Sequence, residues 1–217
     1  WEKHDLSSVR HWGSGGSALP TALIREYAER GIVIQQGFGM TETGPTVFLI
    51  TEQDAVRKAG SVGKPVLHTE VRIMDREGNV LGPGQVGELC IRGGNVTTGY
   101  WNRPEATAEA LVDGWLHSGD IGIMDSEGYV QVVGRIKDMI IRGGENIYPR
   151  EIEEFLYTNP KIDQVEVVGA LLRRPDVGRP VVRRTPGRRT PVRRAVARRA
   201  VTRRTGNWRT HVRQIGR

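Results

Sequence analysis

The sequence predicts a chain that opens as an α/β layer, continues as a β-rich subdomain and closes with the start of a small α+β domain. Three observations predict it. An amphipathic helix, an apolar strand and a glycine-rich loop follow one another between residues 20 and 44; short strand-like segments alternate with turn residues from about 63 to 134; and a second helix and strand lie between 149 and 168. Periodicity switching in this order is the mark of mixed α/β layers.

Pro20 opens the first helix, Thr21 to Arg30, because its fixed φ suits a first turn and its missing N–H costs nothing there. Leu23, Ile24, Tyr27 and Ala28 share one face, and Gly31 stands where a C-cap glycine belongs. Ile32 to Gln36 reads as a strand. Gly37-Phe38-Gly39 then reads as a loop at its carboxyl end, where ligands bind in α/β layers. In the middle, Val71–Met74, Val86–Ile91 and Tyr129–Val133 read as strands, separated by the turn sequences at 76–79, 82–84 and 125–128. Cys90 falls there as a buried strand residue, and Trp101 and Trp115 are assigned to the core. Asp120 follows Ser118-Gly119, which in isolation reads as a turn. Met139–Ile141, a Gly-Gly loop, a helix from Pro149 to Leu156 and a strand at Val165–Val168 complete the pattern. The expected organisation is a large domain over 1–134, its β-rich subdomain over about 63–134, the hinge and start of a small domain over 135–170, and a tail over 171–217.

The net charge of +7 averages two dissimilar pieces. Residues 1–170 hold 16 Lys/Arg against 24 Asp/Glu, whereas residues 171–217 hold 16 Arg against the single Asp176. The acidic part gives no support for specific nucleic-acid binding. In the tail, Arg pairs recur at 183, 188, 193, 198 and 203, a spacing of five that builds neither a helical nor a strand face, so disorder is expected. Its charge alone supports an alternative function, sequence-independent gripping of nucleic acid or an anionic surface. No apolar run approaches the roughly 20 residues of a membrane span, and no signal pattern opens the chain. The single cysteine excludes an internal disulfide and fits a reducing, cytoplasmic setting. His11, His68 and His117 lack metal-ligand spacing and read as surface or packing residues, and Lys64 and Arg142 as solvated charges.

Taken by itself, Gly37-Phe-Gly-Met-Thr-Glu-Thr-Gly44 is a glycine-rich turn with a hydroxyl and a carboxylate, suited to a cap or to a phosphate or metal site. Four more segments follow it in order: Gly87-Glu-Leu-Cys-Ile-Arg-Gly93, Gly99-Tyr-Trp101, Gly114-Trp-Leu-His-Ser-Gly-Asp120, and the run from Gly134-Arg135 to Pro149. This ordered set resembles the adenylate-forming superfamily of acyl-CoA synthetases, luciferases and peptide-synthetase adenylation domains over about three quarters of the chain. Residues 143–153 look most like fatty or aromatic acyl-CoA ligases.

The resemblance implies a partial adenylate-forming fold and an AMP-forming acid–thiol ligase that uses ATP, Mg²⁺ and coenzyme A on a carboxylic acid, a fatty acid first and an aromatic acid second. It implies that Phe38 stacks on adenine between Gly37 and Gly39, that Thr41 and Glu42 sit by the α-phosphate with Glu42 holding Mg²⁺, and that Asp120 accepts the ribose hydroxyls. Arg135 would bind ribose or phosphate, Lys137 would be the hinge, and Gly143 and Gly144 would approach the pantetheine of CoA. Gly15, Gly16 and Ser17 resemble the segment lining the adenine and acyl pocket. Two family parts are missing, a phosphate loop with its lysine and a lysine near the end of the small domain, since none follows Lys161. Together with Trp1 in place of Met, this predicts a fragment inactive alone. The tail from about 170 reads as a shifted frame in GC-rich DNA, a reading tested by translating the gene's other frames past that codon.

Overall fold

The computed structural model describes residues 4–159, 161–162 and 164–169, with the backbone of 194–196. The chain divides into two compact units between Lys137 and Asp138.

The first unit opens with a βαβ arrangement. Strand β1 (Trp12–Ser14) runs parallel to β2 (Ile34–Phe38), with helix α1 (Thr21–Glu29) between them in sequence. Helix α1 ends in a glycine cap: the Gly31 amide donates to Ala28 and the Ile32 amide to Tyr27, with Gly31 at φ 78°. Because Ile32 serves this cap, β2 starts at Ile34, two residues later than expected, and it continues through Gly37 and Phe38, which were expected in a loop. Both are held there by antiparallel pairing with β3 (Phe48–Leu49), which in turn pairs with β4 (Lys64–Pro65).

The β-rich part is an antiparallel sheet. Strands β5 (Thr69–Met74) and β6 (Val86–Gly93) pair along their length, and β6 pairs with the long β8 (Trp115–Met124). The far edge of β8 is shared by β7 (Leu111–Val112), which follows helix α3 (Pro104–Ala110), and β9 (Val130–Arg135). Asp120 therefore sits within the longest strand rather than in a turn. The two sheets share one core, in which Val47 and Phe48 meet Val62, Ile73, Leu89, Ile91 and Val130. Cys90 is fully buried and Trp115 nearly so, as expected, but Trp101 is 90% exposed. It follows Gly99-Tyr100 into a turn before α3, where no strand face turns it inward.

The short helix α2 (Glu52–Ala55) is fastened to the β8–β9 turn by charge. Tyr129 donates to Asp54 at 2.6 Å, Arg57 bridges Asp54 and Glu127, and Lys58 bridges Asp125 and Glu127. Arg57, Lys58 and Lys64 also lie over the Tyr129 ring, so Lys64 is not merely solvated.

In the second unit, β10 (Ile140–Arg142) and β11 (Glu145–Ile147) form a two-residue hairpin on Gly143 and Gly144, both at positive φ. Helix α4 (Pro149–Tyr157) follows, then β12 (Gln164–Glu166). The Arg-rich tail lies outside the described residues except at Arg194–Val196. There the expected absence of regular structure does not hold: a short strand pairs parallel with β12, whose open edge can accept one. Among the described residues no helix is long and apolar enough to cross a membrane.

The ion-pair cluster predicts an acid limb of stability. The Tyr129 hydroxyl first, then Arg57 and Thr51, hold the Asp54 carboxyl below its ordinary value of 3.8. A carboxyl depressed in the folded state stabilises the fold above its unfolded pKa, and that contribution is lost as pH falls through the folded one. The urea midpoint of the wild type should thus fall more steeply below about pH 4 than that of Asp54→Asn; parallel curves would contradict the assignment.

Candidate adenylate site

Parallel pairing of β1 and β2 puts the carboxyl ends of both strands at one edge of the sheet. The loops that leave them, Gly15–Ala18 and Gly39–Met40, therefore meet. Between them opens a cleft of about 730 Å³, lined by His11 to Gly16 on one side and by Gly37 to Thr41, Gly44 to Thr46 and Leu49 on the other. Gln36, 5% exposed, secures the first loop by accepting the Leu19 amide at 3.0 Å, and Gln35 donates to the Ile50 carbonyl at 3.0 Å. A buried amide side chain must be paired, and here the pairing fixes where the loop re-enters the fold.

The glycines of the second loop are accounted for by packing. A Cβ on Gly39 would stand 2.1 Å from the Pro45 carbonyl oxygen and 2.6 Å from its carbon, both backbone atoms. At Gly37 it would stand 3.2 Å from the Phe48 carbonyl oxygen. The expectation that these glycines keep the backbone close to a nucleotide is thus joined by a cause within the chain. Phe38 packs its ring against Phe48, at 5.9 Å between centroids and 59° between planes, while also lining the cleft. The next residues form a tight turn, Thr41–Thr43, closed by the buried Thr43 hydroxyl, which receives the Met40 amide at 3.3 Å.

Glu42 stands beside this cleft. Its backbone carbonyl accepts the Thr97 amide at 2.7 Å and its Oε1 accepts the Tyr100 hydroxyl at 2.9 Å, which raises the Tyr100 pKa because ionised tyrosine would face the carboxylate. Oε2 has no protein donor among the described residues, so the carboxylate retains lone pairs for a hard cation. That donor chemistry fits Mg²⁺.

Asp120, 5% exposed, pairs across the strands with Arg135, its Oδ1 accepting from Nε at 3.1 Å. Neither residue lines the cleft, nor does Ser17. Lys137 is exposed in the turn Ile136–Asp138, where the two units join. Gly143 and Gly144 are exposed at the hairpin tip with open space around them, and the tight turn suffices to explain both. His11, read as a surface residue, lines the cleft. Sequence reasoning missed Gln36 and the partners of Tyr100; Tyr100 could have been found, because it lies in a motif segment and carries a hydroxyl.

Residues 1–101 match the AMP-binding enzyme family. Over this stretch and beyond it, the chain resembles AMP-forming acyl-CoA synthetases of the adenylate-forming type. Among its relatives, a feruloyl-CoA synthase of Amycolatopsis sp is 46% identical over 169 residues, 78% of this chain and 34% of that one. An indoleacetate–CoA ligase of Aromatoleum aromaticum is 47% identical over 174 residues, 80% of this chain and 34% of that one. The chain thus spans about a third of the length of these relatives. Among solved structures, the o-succinylbenzoate CoA synthetase of Bacillus subtilis carrying its acyl-adenylate intermediate aligns with a TM-score of 0.70 at 33% identity, over 79% of this chain and 39% of that one. The same enzyme has been solved with ATP and a magnesium ion.

Two glycine substitutions separate packing from backbone conformation. Gly39→Ala should cost about 1–3 kcal/mol by overpacking against backbone that cannot yield. Gly16→Ala, at φ 79° in open space, should cost only the left-handed conformation, about 1–2 kcal/mol. Urea denaturation of both variants checks it, and the contact with Pro45 is refuted if Gly39→Ala is neutral.

Proposed function

We propose that this chain is the adenylate-binding and hinge segment of an enzyme that activates an aromatic carboxylic acid with ATP and passes the acyl group to coenzyme A. The observation that carries the reading is the cleft where the glycine loops of two parallel strands converge on Phe38. In the first half-reaction a carboxylate oxygen attacks the α-phosphorus of ATP, the acyl-AMP bond forms and pyrophosphate leaves. In the second the CoA sulfur attacks the acyl carbon, the thioester forms and AMP leaves.

Phe38 offers its ring to adenine, with Gly15 and Gly16 along the other side of the base. Asp120 takes the ribose hydroxyls, for which the two oxygens of one carboxylate suffice, and Arg135 neutralises it or reaches ribose or phosphate. Thr41 donates its hydroxyl toward the α-phosphate. Glu42 holds Mg²⁺, which when bound offsets charge on the phosphates. Lys137, exposed where the compact units join, is the pivot that lets the Gly143-Gly144 turn approach CoA.

The aromatic substrate rests on relatives named for ferulate, indoleacetate and succinylbenzoate; the fatty-acid expectation finds no support among them. No observation favours the nucleic-acid alternative.

Nucleotide binding tests the site in this chain. Phe38→Leu keeps apolar contact with Phe48 but removes the stacking face, so AMP affinity measured by calorimetry should fall by about 1–3 kcal/mol while stability changes little. Unaltered affinity would remove Phe38 from the site. Carboxylate-dependent ATP–pyrophosphate exchange, run with this segment in its complete reading frame, tests the substrate class: aromatic acids should support exchange and long-chain fatty acids should not.

A further inference from the structure

Asp120 is placed by an irregular stretch of sheet. Along β6 and β8, Glu88 pairs with Ile121 and Cys90 with His117, so the single residue Leu89 faces three, Ser118, Gly119 and Asp120. Two extra residues would ordinarily loosen the ladder and leave the strand free to slip. Here they are tied down. Glu88 Oε1 accepts the Gly119 amide at 2.9 Å, and its Oε2 accepts from His117 Nδ1 at 2.8 Å. Ser118 donates its hydroxyl to the Leu89 carbonyl at 2.6 Å, and the Asp120 amide donates back to Ser118 Oγ at 3.1 Å. Gly119 stands at φ 72°, so the chain reverses its pleat immediately before Asp120.

From this geometry we infer that Glu88 is the positioning residue for Asp120, acting through the Gly119 amide. The inference rests on the proposed ribose role of Asp120. Glu88 does not itself touch the nucleotide. Among the described residues it is the side chain that grips both Gly119 within the bulge and His117 just before it, and its carboxylate reaches Gly119 from the opposing strand. Without an acceptor there, the Gly119 amide must find another partner and the left-handed turn that aims Asp120 is no longer fixed. Charge on Glu88 serves the pair with His117; reach serves Gly119.

The cluster has a competing use, since Glu88, Cys90 and His117 offer three donor atoms within 4.8 Å. A hydrogen-bonded reading explains the same geometry without an ion: a carboxylate can only accept, so Nδ1 carries the proton it gives to Glu88. The Cys90 thiol beside it is buried, and burial and Glu88 push its pKa up to about 12.

The test separates reach from charge with two variants that keep side-chain bulk and polarity. Ribose selectivity is read as the ratio of affinities for AMP and for 2′,3′-dideoxy-AMP, by calorimetry. Glu88→Asp keeps the charge but is one methylene too short for Gly119, and should lose roughly tenfold in that ratio, as one charge-assisted hydrogen bond would supply. Glu88→Gln keeps an oxygen at the right reach and should retain the ratio. The opposite pattern, or no loss in Glu88→Asp, overturns the positioning role. If the wild type itself fails to distinguish the two nucleotides, or Asp120→Ala leaves the ratio unchanged, the ribose reading falls and the inference falls with it. Stoichiometric zinc in the purified chain, lost in Glu88→Gln, would assign the cluster to a metal instead.

Discussion

The parallel pairing of Trp12–Ser14 with Ile34–Gln36 is the constraint on which the rest of the first unit depends. Parallel strands end at the same edge, so each must be followed by a turn there, and two turns at one edge leave a concavity between them. Were the pairing antiparallel, the loops beginning at Gly15 and Gly39 would leave from opposite ends of the sheet and no cleft would form. The helix that returns the chain from one strand to the other is fixed at its exit by the Gly31 cap, which sets where β2 can begin. Gln36 then closes the arrangement, since its side chain accepts the Leu19 amide at the end of the first loop.

The second sheet makes this edge rigid. Phe48 pairs with Phe38 in the first sheet and is buried in the core that Ile73, Leu89, Ile91 and Val130 build from the second. A displacement of the second sheet would therefore be felt at the aromatic ring that lines the cleft. Leu89 belongs to this core and is also the residue whose carbonyl receives Ser118 in the bulge before Asp120. Phe38 and Asp120, at the two ends of the proposed site, are thus supported by one body of packed side chains, although they come from different sheets.

What the sequence made legible follows from the range of the interactions concerned. Helix α1 and the hairpin on Gly143-Gly144 were readable because Pro20, Gly31 and the paired glycines act within a few residues. The start of β2 was misplaced by two residues because a cap reaches past its glycine to use Ile32. Asp120 looked like a turn residue because Ser118-Gly119 has turn chemistry, and only the opposing strand shows that this chemistry serves a bulge. Trp101 was assigned to the core on hydrophobicity alone, yet no strand presents it inward. Gln36, Tyr100 and Glu88 act on partners 17, 58 and 31 positions away, distances at which no local pattern reports.

The glycines carry a lesson about what makes this a site. Gly39 is required by the Pro45 backbone and Gly143 and Gly144 by a tight turn, so their presence alone is satisfied by the fold and argues for no ligand. What the fold does not require is an aromatic ring left partly open beside a cleft, a carboxylate at Glu42 with an oxygen unclaimed by protein donors among the described residues, and a carboxylate at Asp120 held nearly buried within an irregular strand. Keeping Asp120 there costs desolvation that its pairing with Arg135, more than half exposed, helps to offset. Such an arrangement is consistent with the proposed nucleotide, because the two oxygens of one carboxylate suit two neighbouring hydroxyls.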